Sequence, residues 1–382
     1  MRKTAFKSLA LIGIASTILL SSCSDDEDEK VIIDNGGLTS PVTTPAKYEF
    51  SRLGQSSVDY SGQTSRLDQL AELTVELKRA DAGNSISSAT LLNMFGNTNN
   101  PFTQAYPKDL KSKTFAADTS YFKNLMTEMA NNSGTTDTAK SGTAGLLTRS
   151  NGNTILADAN GREYTQLIEK GLMGATFYYQ IANTYLTEEK IGSAVNNSDL
   201  IDTAAGKYYT AMEHHFDEAF GYMGFPTDFS SNYDGAGTVR FWGKYSSTAD
   251  DDIQSNGKIM NAFKLGRAAI VAKDYSMLNS QVDVLYDEID KMMAATAIHY
   301  INSTLSDSNI GDRHHHLSEA YVFIRALRYA NIFERKLSDT EVLELCDTKI
   351  GSNYYNTTAT DLNFIKDKLS STYGLDSVKD NL

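Results

Sequence analysis

Apolar residues recur at spacings of three and four along most of the chain, in stretches 64–82, 85–95, 119–131, 160–188, 200–223, 257–271, 275–305, 312–333, 338–346 and 361–373. That period places one apolar stripe on each helix and predicts ten helical segments. Start signals support several of them: Ser338 and Glu341 stand at capping-box spacing at the head of one. Beyond residue 46 only Pro101, Pro107 and Pro226 interrupt the chain, and long proline-free stretches favour helix.

Strand patterns are few. Tyr48-Glu49-Phe50 and an aromatic loop over 239–245 could pair briefly, while segments rich in Gly, Asn, Ser and Thr over 131–152 and 225–238 read as loops. The expected fold class is all-α, a helical body over 47–382 that packs as two bundles, with possible halves at 47–225 and 240–382.

The first residues read differently. Arg2, Lys3 and Lys7 precede an apolar run over 9–20 and small residues before Cys23. The run is too short to cross a membrane as a helix, which takes about 20 apolar residues, and it matches a secretory signal over 1–22. Leu20-Ser21-Ser22-Cys23 resembles a bacterial lipobox, which implies cleavage before Cys23, acylation of that residue and a membrane held as partner through the N-terminal lipid. Residues 23–46, acidic from Asp25 to Glu29 and then rich in Thr and Pro, form the tether. The acidic run resembles the export tag of Bacteroidetes surface lipoproteins and implies a cell-surface place on the outer membrane.

The chain has 382 residues, 48 acidic against 35 basic, for a net charge of −13. That balance argues against nucleic acid as a partner, because phosphate binding needs a basic face. With Cys23 given to lipid, Cys346 is the one thiol left, and its apolar neighbours mark it as a core residue.

Five of the six histidines fall in two similar windows, 208–220 and 312–321, each with His-x-x-Glu followed by Ala and an aromatic. On a helical wheel His215 lies inside an apolar arc with Glu218 at its edge, and Glu213 and Asp217 fall on the opposite, solvent side. In the second window His316 lies among apolar positions with Glu319 at the margin, while His314 and His315 read as surface residues of the first turn. Each motif aims an imidazole and a carboxylate inward. Two such helices facing one another would offer nitrogen and oxygen ligands to iron or zinc, or an axial ligand to haem; alternatively each pair is a satisfied polar contact in a core.

His215-Phe216-Asp217-Glu218 leads into the aromatic, glycine-bearing stretch 220–225. With the lipoprotein signal and the helical body, this resembles the imelysin-like group, and more narrowly the Bacteroidetes lipoproteins that are similar to imelysin. The resemblance implies two helical bundles, a Gly-x-His-x-x-Glu motif and a role in iron acquisition. The motif maps onto His215 and Glu218, while its glycine falls at Glu213 and, in the second copy, at His314.

Iron, haem or a metal-loaded carrier is therefore the expected ligand, delivered to an outer-membrane transporter. A metallopeptidase is the weaker reading, since His-Glu-x-x-His and Gly-x-Ser-x-Gly are absent. A glycan-binding or scaffold lipoprotein without metal is the alternative, with Trp242 and Tyr245 as stacking residues. Three successive aspartates, Asp250 to Asp252, read as a solvated turn.

Overall fold

The computed structural model describes residues 42–229 and 238–382; Cys23, the lipobox and the acidic run lie outside the described residues. Twelve α-helices, several short 3-10 and π-type turns and two small hairpins make up the regular structure of the described residues, so the all-α class holds. In chain order they are β1 (Ser51–Arg52), β2 (Gln55–Ser56), α1 (Ser61–Asp81), α2 (Ser88–Gly96), α3 (Thr119–Asn132), β3 (Gly145–Thr148) and β4 (Thr154–Ala157). Then follow α4 (Tyr164–Leu172), α5 (Glu188–Ile191), α6 (Ala211–Met223), α7 (Trp242–Ile253), α8 (Ser255–Ala272), α9 (Tyr275–Ser306), α10 (Ile310–Ala326), α11 (Asp339–Leu343) and α12 (Ala359–Tyr373).

The longest helix organises the packing. α9 runs for 32 residues, with a central stretch from Met292 to Ile298 that is buried on every side, and α7, α8, α10 and α12 pack against it. Short links make α8–α9 and α9–α10 sequential neighbours, as bundles require. The head of α9 is set by Asp274, whose side chain accepts from the Met277 amide at 3.0 Å, and that of α10 by Asn309, which accepts from the Asp312 amide at 3.0 Å. At α11 the predicted capping box forms, with Ser338 and Glu341 bonding reciprocally.

α10 also packs on α4, and α1 packs on α6 and α4. One apolar core continues from Val42 to Leu382 and includes Phe225, Val239 and Trp242, so it spans the 225–240 linker. Among the described residues no helix is long and apolar enough to cross a membrane.

Two local departures bear on the site. After α4 the helix continues in wider π-type turns over Met173–Tyr178 and Ile181–Tyr185, a geometry often found at functional positions. Residues 200–210, predicted helical, are instead a turn closed by an Asp202–Lys207 bridge. Gly206 adopts φ +76° there, which favours glycine, and α6 begins only where Thr210 caps it.

Candidate functional site

α6 begins with a capping box. The Thr210 hydroxyl accepts from the Glu213 amide at 3.2 Å, and the Glu213 carboxylate turns back to accept from the Thr210 amide at 2.9 Å. That turn takes Glu213 inward, where Arg267 of α8 donates to it at 2.9 Å and Arg52 at 2.7 Å. Arg267 also donates to Asp217 at 2.9 Å and to the Ser57 carbonyl at 3.0 Å. Tyr48 completes the network: its hydroxyl donates to Asp217 at 2.8 Å and its ring stacks on Phe220. Arg267, Glu213 and Asp217 are fully buried, so the expectation that Glu213 and Asp217 face solvent is corrected. Burial pushes the Asp217 carboxyl up to about 6 despite Arg267 beside it. Closed and satisfied, this network fastens residues 48–57 onto α6 and α8.

The next face of α6 carries His215 and Glu218, both half-buried. His215 Nδ1 lies 2.7 Å from the Lys190 carbonyl. A carbonyl only accepts, so Nδ1 carries the proton and Nε2 keeps its lone pair. Burial, with the charges of Lys190 and His214, holds the imidazole below its ordinary pKa and therefore neutral. Glu218 accepts from Gln63 Nε2 at 3.0 Å, and Gln63 also reaches the Tyr185 hydroxyl at 3.5 Å.

Basic side chains lie within electrostatic reach of this pair. Burial and the charges of Arg66, Lys190 and Lys108 hold the Lys113 ammonium below its usual range, with Glu218 acting in the opposite sense. Lys113 Nζ stands 5.5 Å over the Tyr185 ring. Arg66 is fixed by donating to the carbonyls of Asp109 at 2.8 Å and Gly62 at 3.1 Å, with no carboxylate among these partners. An acidic protein thus brings Arg66, Lys108 and Lys190 within electrostatic reach of Lys113, with Glu218 in reach of Lys113 and Lys190 in reach of His215. Sequence reading found His215 and Glu218 and missed the cations, which are scattered over more than a hundred residues with no shared motif.

The second motif is wired differently. Glu319 pairs with His315, 3.3 Å from its Nε2, rather than with His316, and His315 Nδ1 meets Glu163 at 2.7 Å. Burial would lower the His315 pKa, but Glu163 and Glu319 push it up to about 9, so the half-buried ring is a cation. His316 Nδ1 bonds Asp307 at 2.8 Å. His314, expected at the surface, is fully buried, with Nδ1 on the Gly161 carbonyl at 2.8 Å, and burial lowers its pKa to about 4. The two motifs share no bonded residue in these contacts. Among the described residues no group of three or more His, Cys, Asp or Glu is arranged to hold a metal ion.

Trp242 begins α7 and is fully buried, its Nε1 donating to the Met173 carbonyl at 3.2 Å and its ring edge-on to Phe323 and Tyr178. That leaves no face for a sugar. Tyr245 packs edge-on against Phe323. Asp250 to Asp252 close α7 rather than forming a free turn, and Asp250 accepts from the Asn256 amide at 2.7 Å.

A family model described as a domain of unknown function, DUF4856, matches residues 45–376. No curated protein and no solved structure matches the chain.

Proposed function

Since the chain belongs to the DUF4856 family, a domain of unknown function that brings no activity with it, we propose from its own residues that it is an envelope binding protein which captures an anionic, metal-bearing ligand such as an iron chelate or haem. The observation that supports this most is a neutral His215 held by the Lys190 carbonyl at 2.7 Å, beside Glu218 and with Lys113, Arg66, Lys108 and Lys190 in electrostatic reach of one another. Ammonium and guanidinium groups favour carboxylate-rich ligands. His215 Nε2 is available as a single nitrogen ligand, held in one tautomer by the Lys190 carbonyl, an outer contact of the kind that orients metal-binding imidazoles.

Two protein ligands are too few for a bare zinc ion, whose catalytic sites supply three and structural sites four. A metal that arrives already chelated needs only one or two, and the cations then hold the chelate. In this proposal Cys23 carries the lipid, the body lies outside the outer membrane, and a transporter receives the cargo, in keeping with the imelysin-like resemblance.

Titration of the full mature protein with haem and with an anionic ferric chelate, followed by calorimetry and absorbance, tests the reading. One of the two is expected to bind, more weakly as salt rises, and His215→Gln or Lys113→Glu is expected to weaken it at least tenfold. Binding of neither, or binding indifferent to both substitutions, overturns the proposal.

A further inference from the structure

Residues 48–64 and Thr227 line an open groove of about 570 Å³, within the span of about 300–1,000 Å³ usual for small-molecule sites. The closed Arg267 network lies behind it, because Tyr48, one of its lining residues, donates to Asp217. Phe50 and Tyr60 give it aromatic surface, Ser56, Ser61 and Thr64 give hydroxyls, and Asp59 gives a carboxylate.

Asp59 is held in place from three directions. One carboxylate oxygen accepts from the Ser61 amide at 3.0 Å, the other from the Tyr209 hydroxyl at 3.1 Å, and its carbonyl meets His214 Nδ1 at 3.0 Å. The Ser61 side chain also bonds the carboxylate, and of the four acceptor sites on its two oxygens at least one is left over. Glu49, at the rim, is met by Lys47 at 3.7 Å and by the Thr227 hydroxyl at 3.4 Å.

No basic side chain lines the groove, and Arg52 and Arg267 behind it are committed to Glu213 and Asp217, which disfavours an anion. The two carboxylates already take donors, which disfavours an ammonium that would need their full charge. What remains is a surface of spare acceptors, hydroxyls and ring carbon. We infer that the groove is a binding site for a small neutral saccharide, with Asp59 accepting from adjacent sugar hydroxyls and the Tyr60 ring covering the apolar face of the sugar. It is a separate site from the His215–Glu218 face of α6 and stands or falls independently of it.

Saturation-transfer NMR with neutral mono- and disaccharides, and with a polyamine as the charged rival, tests this on the full mature protein. Asp59→Asn removes the charge and part of the acceptor capacity; Ser61→Trp fills the groove from an exposed position at the start of α1. At least one neutral sugar is expected to bind, about tenfold more weakly in Asp59→Asn, and not at all in Ser61→Trp, while far-UV circular dichroism stays unchanged. No sugar binding, sugar binding indifferent to both substitutions, or preference for the polyamine overturns the assignment.

Discussion

Arg267 shows how much one side chain can hold. It is fully buried and donates to Glu213, Asp217 and Ser57. Removing a partner from a buried ion pair typically costs about 3–5 kcal/mol, because a charge is left uncompensated. Arg267→Met is expected to lose that much in urea denaturation. Asp290 behaves oppositely. Burial pushes its carboxyl up to about 7, with the Tyr178 hydroxyl as its donor. A folded pKa above the unfolded value near 3.8 means that its contribution is full below about 4 and is lost as pH rises through 7. Asp290→Asn is therefore expected to raise the melting temperature relative to wild type at pH 8 more than at pH 5. Sequence reading put Asp217 and Glu213 in solvent because it counted only the polarity of α6 itself. Their counter-charge stands some fifty residues on at Arg267, and a capping box redirects Glu213; neither is visible in the period of the helix.

The long helices were legible because their apolar stripes are regular: α1, α3, α8, α9 and α12 begin and end within about three residues of the periodic stretches. α7 was missed. Its first turn, Trp242 to Tyr245, reads as an aromatic loop, and three aspartates near its C-terminus oppose the helix dipole; packing against α8 and α9 outweighs both. The hairpin β3–β4 was hidden for a similar reason, since two four-residue strands sit in a segment rich in Gly, Asn and Thr. Where α1 crosses α6, the contact depends on Gly221: a Cβ there would stand 2.5 Å from Tyr60 Cβ and 3.0 Å from Gln63 Cβ. Gly221→Ala is expected to cost about 1–3 kcal/mol by overpacking, read as a lower midpoint in thermal melting. Since Tyr60 lines the groove and Gln63 holds Glu218, both ligand sites are expected to weaken with it.

Because one core runs through both sides of the 225–240 linker, the described residues are expected to unfold together. Trp242, the single tryptophan of the chain, sits in that core, so its fluorescence and the far-UV circular dichroism signal are expected to share one midpoint; separate midpoints would reveal two halves. Cys346 is fully buried, and burial raises its thiol pKa well above the ordinary value. It is expected to react with a thiol reagent only at the rate of global opening. The clamp at Tyr48 has a mechanical meaning at this scale. The amide of Tyr48 donates to the Thr227 carbonyl at 2.7 Å, its hydroxyl holds Asp217 and its ring lies on Phe220. Tension transmitted past Val42 and Ala46 reaches this side chain, where it loads a hydrogen-bonded, stacked contact. A pull from the N-terminal end, once past Val42 and the Ala46 carbonyl held by Lys264, would work on the wall of the groove, and an occupied groove would resist it better than an empty one.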